Sequence, residues 1–328
     1  MCTKNRISVV IPTYNASPFI RETLDSVFAQ TRLPDEVVVV DDCSLDDTVA
    51  LVEQLAETAP ILVRVIRLTK NSGGPAAPLN AGIAAATSEF IATLDQDDLA
   101  SPTGLNNLLK CFIACDTVGL AFGDVRPVTD DPIVRQHVRA VAADIKQLVI
   151  PTEIKDCFVI PKKDAYGALA RHRCIAHTCS NFLFRKTTWS QIGGFDEKIR
   201  TTCDYRFLQQ VAEAFDLGYC AQHVCDWVIS GKSLFRSSSR PAINRDLFRV
   251  YSSFRTAQLS PDDCRLLRAY CRDCSLGLAY DSRQSGSIGA AALDYWRSIR
   301  WSGLTAEAVF GLMKLPLFWL LKATNAQV

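Results

Sequence analysis

The residues with the clearest potential for chemistry are three aspartates, Asp95, Asp97 and Asp98. They directly follow the apolar, partly β-branched run Phe90–Leu94, which predicts a short buried strand. Because unpaired carboxylates are costly to bury, this strand must end at the surface or at a cation. If the extended geometry continues, Asp95 and Asp97 point to the same side, which suits a hard divalent ion such as Mg²⁺ or Mn²⁺. A solvent-exposed acidic turn is the alternative interpretation.

A second apolar run, Val37–Val40, also ends in acid, at Asp41 and Asp42. In open parallel sheets, ligands bind at the carboxyl ends of the strands. Two acidic strand ends at one edge of a sheet therefore favour a ligand or cation site over a solvated turn.

Strand and helix patterns alternate over the first part of the chain. Strands are predicted for residues 7–11, 37–40, 61–68 and 90–94. The first helix is predicted to begin with Ser17 as N-cap and Pro18 at its first position, and a small-residue helix is predicted over 81–87. This alternation predicts an α/β fold: a mostly parallel sheet with helices on both faces.

The sequence lacks the phosphate-binding motifs of common nucleotide-binding folds. The first strand is followed by Pro12–Ser17 instead of a Gly-x-Gly-x-x-Gly turn, and no P-loop motif occurs. A nucleotide would then be held by carboxylates at its base and ribose and by a metal at its phosphates. The formal net charge of +1 gives no reason to expect nucleic acid as a partner.

Four motifs resemble the family-two inverting glycosyltransferases with the GT-A fold. They are Val9–Asn15, Val39–Thr48, Asn71–Gly74 with Leu79–Ile83, and Leu94–Asp98, and the resemblance resumes at Ser180–Leu208. It implies a GT-A-type fold and metal-dependent, inverting transfer of a sugar from a nucleotide-diphosphate sugar to an acceptor hydroxyl. The implied acceptor is a saccharide or a lipid-linked molecule in polysaccharide or glycolipid synthesis.

The resemblance also implies roles for single residues. Substrate binding is implied for Pro12, Thr13, Tyr14, Asp41, Asp42, Asn80 and Asp95. Asp95 and Asp97 would hold the divalent cation, Mn²⁺ or Mg²⁺, on the donor diphosphate. Asp204 takes the place of the Asp in the family's Glu-Asp element and would act as general base, with Cys203 in place of the Glu.

Two departures from the family pattern concern the phosphates. Leu79 stands where many relatives have an Arg, and the segment 228–237 has no His where relatives often place one. Lys232 and Arg236 are candidates to bind the diphosphate, with a solvated loop as the alternative.

Two other functional classes stay open. A nucleotidyltransferase has a similar sheet and acidic pair, but its Gly-rich, Lys- or Arg-bearing loop after the first strand is missing here. A non-catalytic sugar-nucleotide-binding protein would keep the donor motifs and lose the base. Asp204 argues against that class, whereas Leu79 and the missing His argue for it.

The charge distribution divides the chain into two parts. Residues 1–228 hold 22 Lys and Arg against 28 Asp and Glu, whereas residues 229–328 hold 14 against 7. The predicted organisation is a catalytic domain over 1–240, with a nucleotide-sugar half (1–125) and an acceptor half (126–240), and a helical C-terminal extension over 241–328.

Residues 304–322 are apolar but are interrupted by charged residues and Pro316. The uncharged run Leu315–Leu321 is shorter than the ~20 residues that a membrane span needs. An interfacial helix on an anionic membrane and packing against protein both stay open. Met1–Arg6 is polar and no signal peptide follows, so we expect a cytoplasmic protein with reduced thiols, either free or peripheral at the inner face of the plasma membrane.

Overall fold

The computed structural model of the protein describes residues 5–229, 234–303 and 305–325, except for the side chains of Phe235, Ser302 and residues 316–325. These residues form two compact units, one within Met1–Ser233 and the other within Leu234–Val328. Lys232, a candidate phosphate ligand, and Leu304, the first residue of the apolar C-terminal segment, lie outside the described residues.

The first unit is built on a mixed sheet that contains ten strands among the described residues. The strands are β1 (Ile7–Thr13), β2 (Glu36–Asp41), β3 (Leu62–Arg67), β4 (Phe90–Thr93), β5 (Leu99–Ala100), β6 (Val118–Val128), β7 (Ile150–Pro151), β8 (Cys157–Ile160), β9 (Phe182–Arg185) and β10 (Asp216–Val228). Their order in the sheet is β3-β2-β1-β4-β9-β6-β10-β8-β7, and β5 pairs with β10.

Helices connect these strands and form the second unit. The helices of the first unit are α1 (Ile20–Phe28), α2 (Thr48–Glu57), α3 (Ala76–Ala85), α4 (Gly104–Ala114), α5 (Pro132–Leu148), α6 (Lys162–His172), α7 (Lys186–Ile192) and α8 (Cys203–Ala214). Those of the second unit are α9 (Leu234–Ser237), α10 (Arg240–Ser252), α11 (Pro261–Gln284), α12 (Ile288–Ser302) and α13 (Ala306–Asn325).

The strand directions confirm the predicted mostly parallel α/β sheet. Strands β3, β2, β1 and β4 are parallel neighbours, and β6 is parallel to β10. Strand β9 pairs antiparallel with both β4 and β6 and so joins the two parallel groups. The strand pattern did not predict the antiparallel direction of β9, nor the antiparallel pairs that β10 forms with β5 and β8 and that β7 forms with β8.

Successive side chains of a strand point to opposite faces of the sheet. Helices cover both of these faces in the parallel strands. Val9 and Val39 belong to a buried cluster that includes residues of α1, α2 and α4. Val10 and Val40, on the opposite face, pack against Gly82 of α3. The continuous apolar runs Val9–Pro12 in β1 and Val37–Val40 in β2 therefore follow from burial on both sides.

Helix α1 begins at Ile20, so the predicted start at Ser17 and Pro18 is wrong. Residues 16–19 form a turn in which the N–H groups of Phe19 and Ile20 both donate to Ala16 O. This turn takes the place of the expected cap, and the helix begins two residues later than predicted.

Helix α3 begins at Ala76 instead of at Ala81, as the sequence predicted, and ends at Ala85. Pro78 occupies its first turn, where a backbone N–H has no intrahelical partner in any case. A segment whose Gly and Pro residues predicted a loop is therefore compatible with a helix.

The second unit packs α11, α12 and α13 around a small apolar cluster. Its buried members are Ala279, Ala291, Tyr295, Ala308 and Leu315. Helices α12 and α13 approach closely, since a Cβ added at Gly311 would lie 2.1 Å from the Tyr295 ring. None of the described helices is long and apolar enough to cross a membrane.

The substitution Gly82→Ala tests the packing of α3 on the sheet. The added Cβ would lie 2.5 Å from Val10 Cγ1 and 2.9 Å from Val40 Cγ2. Because α3 would have to shift, we expect the free energy of unfolding of the first unit to fall by about 1–3 kcal/mol in denaturant titrations. The matched control is Gly289→Ala in α12, where the added Cβ has nothing within 4 Å. Equal effects of the two substitutions would contradict the close packing.

Candidate active site

The loop after β1 is attached to the end of β2. Asp42 N–H donates to Thr13 O (2.8 Å), and Thr13 Oγ1–H donates to Val40 O (3.2 Å). Pro12 and Thr13 are buried, whereas the side chain of Tyr14 is 42% exposed. Of the three residues expected to line a base pocket, Tyr14 is therefore the one that presents its side chain to solvent.

Asp41 and Asp42, at the end of β2, are both buried. The Asp42 carboxylate accepts hydrogen bonds from Ser72 N–H (2.9 and 3.0 Å) and from Ser72 Oγ–H (2.8 Å). Asp41 Oδ2 accepts the Ser44 N–H (3.0 Å), whereas Asp41 Oδ1 is buried without a partner among the described residues. Because an unpaired buried acceptor is unfavourable, Asp41 Oδ1 is suited to an N–H or O–H group supplied by a ligand.

The chain turns immediately after β4, which corrects the expected extended pair of Asp95 and Asp97. Asp98 N–H donates to Asp95 O (3.3 Å), and Gln96 and Asp97 form the turn between them. Thr23 of α1 stabilises this acidic turn by donating its Oγ1–H to Gln96 O (2.8 Å). Residues 95 and 97 therefore do not lie on one side of a strand, as alternate strand residues would.

A segment just before β9 supplies hydrogen-bond donors to the acidic turn. Asp95 Oδ2 accepts the Thr178 Oγ1–H (3.2 Å), and Asp95 Oδ1 accepts the Cys179 Sγ–H (3.1 Å). Ser180 Oγ accepts the Asp95 N–H (2.8 Å) and donates to Asp98 Oδ2 (2.5 Å). The sequence analysis missed these donors, because a Thr-Cys-Ser run has no charge or spacing that indicates a carboxylate partner.

Negative charge accumulates in this turn. Burial raises the pKa of Asp95 and raises the pKa of Asp98 well above its usual value, and like charges in the turn raise the pKa of Asp98 further. Burial and the charge of Asp95 together raise the pKa of Asp97 to about 6. Among the described residues, the principal causes of these three shifts are burial, like charges and neutral hydrogen bonds, and none of them is a Lys or Arg charge.

This charge balance decides whether a cation fits the turn. Among the described residues, no group of three or more His, Cys, Asp or Glu side chains could hold a metal ion by itself. Mg²⁺ and related ions are, however, often held by one or two carboxylates together with substrate phosphates and water. The uncompensated carboxylates of Asp95 and Asp97 therefore fit an ion that arrives with a diphosphate.

Asp204 lies in the first turn of α8, at the position expected for the base. Hydrogen-bond contributions from the Tyr205 N–H and from the thiol of Cys174 lower the pKa of its carboxylate. Burial, with a contribution from the charge of Asp95, raises the pKa of Asp204 to about 6. The fold therefore brings Asp204 within electrostatic reach of Asp95, although the two residues are far apart in the sequence.

The thiols of Cys179 and Cys203 provide a second indication that these carboxylates share one region. Burial raises the pKa of both thiols, and the charges of Asp95 and Asp204 raise both pKa values further. Two carboxylates that act on the same pair of thiols lie near one another.

Gln96 is a candidate functional residue that the sequence analysis missed. Its Oε1 accepts the Tyr14 N–H (2.7 Å), and its Nε2 donates to Tyr14 O (3.3 Å). This two-way amide contact attaches the loop after β1 to the acidic turn that contains Asp95 and Asp97. In the stretch Asp95–Asp98 the sequence pattern consists of charges, and a neutral side chain between two aspartates does not indicate a distant partner.

The side chain of Asn80 is bound within the protein. Its Nδ2 donates to Phe195 O (2.9 Å) and Glu197 Oε1 (3.0 Å). Its Oδ1 accepts the Trp189 Nε1–H (3.0 Å) and the Phe195 N–H (2.9 Å). The preceding Leu79, at the position where many relatives have an Arg, is completely buried.

Residues 8–167 match the model of the family described as glycosyl transferase family 2. Over this range, just under half of its length, the chain is similar to glycosyl transferase family 2. The matched residues include the ends of β1, β2 and β4 with the acidic turn, and Asp204 lies beyond them.

Relatives in this family include proteins of polysaccharide synthesis. The succinoglycan biosynthesis protein ExoO of Rhizobium meliloti is 31% identical over 205 residues, which cover 62% of this chain and 54% of that protein. The poly(ribitol-phosphate) β-N-acetylglucosaminyltransferase TarS of Staphylococcus aureus is 41% identical over 95 residues, or 28% of this chain and 16% of that protein. The chain thus spans about half the length, or less, of these relatives.

Solved structures of glycosyltransferases share the fold. Residues 1–349 of S. aureus TarS, solved with UDP-GlcNAc, superpose with a TM-score of 0.65 at 17% identity, covering 94% of this chain and 90% of that one. The mannosyltransferase PcManGT of Pyrobaculum calidifontis, solved with GDP-Man and Mn²⁺, gives a TM-score of 0.58 at 22% identity, covering 94% and 86%. These similarities confirm the expected GT-A architecture.

The substitution Asp97→Asn tests the electrostatic cost of the acidic turn. The pKa of Asp97 is about 6 in the folded protein, against 3.8 for an ordinary aspartate. The folded state therefore binds this proton more tightly, so the contribution of Asp97 to stability is most favourable below about pH 4 and is lost as the pH rises through about 6. We expect Asp97→Asn to leave the free energy of unfolding unchanged below about pH 4 and to raise it by about 1–3 kcal/mol above about pH 6.

Thermal unfolding in a buffer that contains a metal chelator measures this difference. The control is Asp116→Asn, which alters an exposed aspartate after α4. A difference between Asp97→Asn and wild type that stays constant over the whole pH range would show that the turn carries no electrostatic penalty.

Proposed function

We propose that this protein is an inverting glycosyltransferase that moves a sugar from a nucleotide-diphosphate sugar to an acceptor hydroxyl, with the help of a divalent cation. The observation that carries the proposal is that the charge of Asp95, in the acidic turn, contributes to the raised pKa of Asp204, so that the two carboxylates lie near one another. Direct displacement at a sugar needs a base for the acceptor and positive charge at the leaving group. Asp204 can provide the base, and a cation held by the acidic turn can provide the positive charge.

The donor nucleotide is proposed to bind along the ends of β1 and β2. Pro12, Thr13 and Tyr14 would line the base pocket, with the exposed Tyr14 ring as its side-chain contact. Asp41 would accept a hydrogen bond from the base through its unpaired Oδ1, and Asp42 would lie beside the ribose. Because solved relatives hold UDP-GlcNAc and GDP-Man, uridine and guanosine diphosphate sugars are the candidate donors.

Asp95 and Asp97 are proposed to hold the cation, Mn²⁺ or Mg²⁺, and Asp95 is also proposed to contact the ribose of the donor. An ion bound there supplies positive charge that stabilises the departing diphosphate. Mn²⁺ is present in the related mannosyltransferase of P. calidifontis. Within this chain, Thr178 and Cys179 orient Asp95 without neutralising it, since they donate neutral hydrogen bonds.

Asp204 is proposed as the general base. A pKa of about 6 keeps its carboxylate ionised at neutral pH and makes it a stronger base than an ordinary aspartate. The carboxylate takes the proton of the acceptor hydroxyl while the hydroxyl oxygen bonds to the anomeric carbon and the bond from this carbon to the diphosphate breaks. Attack opposite the leaving group inverts the configuration of the sugar.

The acceptor is proposed to be a saccharide or a lipid-linked molecule of polysaccharide or glycolipid synthesis, a proposal supported by the similarity to ExoO. The reaction is assigned to residues 1–240, with the donor bound by 1–125 and the acceptor by 126–240. Residues 241–328 would form a helical extension of this catalytic domain.

Residues 304–322 are proposed to contact an anionic membrane surface at the cytoplasmic face of the plasma membrane. In α13, Phe310 and Met313 expose 60% and 68% of their surface, and the exposed Lys314 lies beside them. Exposed apolar side chains next to a basic residue are typical of helices that lie in the membrane interface.

The substitution Asp204→Asn tests the base. We expect turnover to fall by roughly 100-fold or more, because the amide accepts no proton, while the nucleotide affinity changes by less than about two-fold. Release of UDP or GDP from a panel of nucleotide sugars with Mn²⁺ measures turnover, and calorimetry measures binding. The control is Asp164→Asn, which alters an exposed aspartate in the first turn of α6. Unchanged turnover would remove Asp204 from the mechanism, and wild-type binding without turnover would indicate a non-catalytic binding protein.

The substitution Asp97→Ala tests the cation site. We expect the affinity for UDP or GDP in the presence of Mn²⁺ to fall on the order of 10–100-fold, since one metal ligand is lost, and the affinity without metal to stay the same. Calorimetric titrations with Mn²⁺ and with a chelator give both values, and Asp116→Ala is the matched control. An unchanged Mn²⁺-dependent affinity would contradict a cation at Asp97.

A further inference from the structure

The segment that leads into Asp204 is attached to α3 through Asn80. This segment begins at the turn Gly193–Glu197 and continues to the start of α8. Asn80 forms four hydrogen bonds to Trp189, Phe195 and Glu197. An Asn amide has two N–H donors and two acceptor positions, so its hydrogen-bonding capacity is used completely within the protein.

The turn is shaped to accept the Asn80 amide. Gly194 has φ +78, a conformation that favours glycine, and an added Cβ would lie 2.8 Å from both Asn80 Oδ1 and Trp189 Nε1. A side chain at position 194 would therefore displace the Asn80 contact. This close approach makes the attachment specific, because the backbone of the turn and the amide must fit each other.

Arg200 provides a second attachment, to the loop after β3. Its Nε–H donates to Gly73 O (2.6 Å). Gly73 has φ +81, and a Cβ added there would lie 3.0–3.2 Å from the Arg200 guanidinium; one added at Gly74 would lie 3.1 Å from the Arg200 backbone. The two glycines thus let the segment before Asp204 lie directly on this loop.

The same loop holds Asp42, one of the proposed donor residues. Ser72, next to Gly73, donates its N–H and Oγ–H to the Asp42 carboxylate. An unbroken series of contacts therefore connects Asp42, through the loop and Arg200, to the residues that precede Asp204.

We propose that Asn80 and Arg200 are positioning residues that fix Asp204 against the donor half of the site, rather than residues that bind substrate. This inference rests on the proposed function, since it concerns the location of the general base. It replaces the expectation that Asn80 contacts the substrate, because the amide has no hydrogen-bonding position left for a ligand. It also gives the Gly73–Gly74 pair a structural role in joining the two halves.

The test separates nucleotide affinity from turnover in the variants Asn80→Ala, Arg200→Ala and Trp189→Phe. Calorimetry with UDP and with GDP, each with Mn²⁺, gives the dissociation constant. Hydrolysis of the nucleotide sugar that the wild-type protein turns over, at saturating concentration, gives kcat. Gln191→Ala, an exposed residue of α7, is the control.

We expect kcat to fall on the order of 10–100-fold in Asn80→Ala and Arg200→Ala, because a small displacement of a catalytic group is costly, with the dissociation constant within about two-fold of wild type. Trp189→Phe removes one of the four hydrogen bonds of Asn80, so its kcat should fall by only about 3–10-fold. The control should match the wild-type protein in both quantities.

A rise in the dissociation constant with unchanged kcat in Asn80→Ala would identify Asn80 as a donor ligand and overturn the inference. Variants that match the control in both quantities would also overturn it. If Asn80→Ala fails to fold in a thermal unfolding experiment, Trp189→Phe and Arg200→Lys decide between the same two outcomes. A wild-type protein that binds no nucleotide and hydrolyses no nucleotide sugar would refute the proposed function and the positioning role with it.

Discussion

The accumulation of carboxylates at the ends of β2 and β4 is the constraint on which the rest of the first unit depends. In the acidic turn, burial and like charge raise the pKa of Asp97 to about 6, so the turn opposes folding at neutral pH. Thr178 and Cys179 donate neutral hydrogen bonds to Asp95, and Ser180 donates one to Asp98. A Lys or Arg at these positions would stabilise the fold more strongly, but it would also remove the negative potential that attracts a cation.

The order of the strands predicts a crevice beside this charge. The chain passes from β1 to β2 and β3 on one side and then returns to place β4 on the other side of β1. Connections that leave the sheet in opposite directions open a crevice at the carboxyl ends of such strands. Tyr14 follows β1 and the acidic turn follows β4, so both lie at this crevice, and Gln96 joins them. The strand order thus determines where the site lies. The neutral side chain of Gln96 links the loop after β1 to the acidic turn.

The features that follow from short apolar runs could be predicted from the sequence. The ends of β2 and β4 can be located to within one residue, because each buried apolar run stops next to carboxylates. The direction of Asp95 was not predictable, because it depends on Thr178 and Cys179, which are distant in the sequence.

The contacts of Asn80 also depend on partners that are distant in the sequence. The motif around Asn80 indicated a role at the site, but the turn that receives its amide lies 115 residues away in the sequence. The late start of α1 has a similar origin, in a backbone turn at Ala16 that local capping residues did not reveal. Local sequence predicted which elements exist, and partners distant in sequence determined how their ends are arranged.

The central claim is that the acidic strand ends hold a cation that carries the phosphates of a nucleotide. Anomalous X-ray diffraction from crystals grown with Mn²⁺ and UDP or GDP tests it most directly. The account predicts a manganese peak bonded to the carboxylates of Asp95 and Asp97 and to the diphosphate, with the base beside Tyr14 and Asp41. A nucleotide bound elsewhere, or a diphosphate at this site bound by basic side chains with no metal peak at the acidic turn, would contradict it.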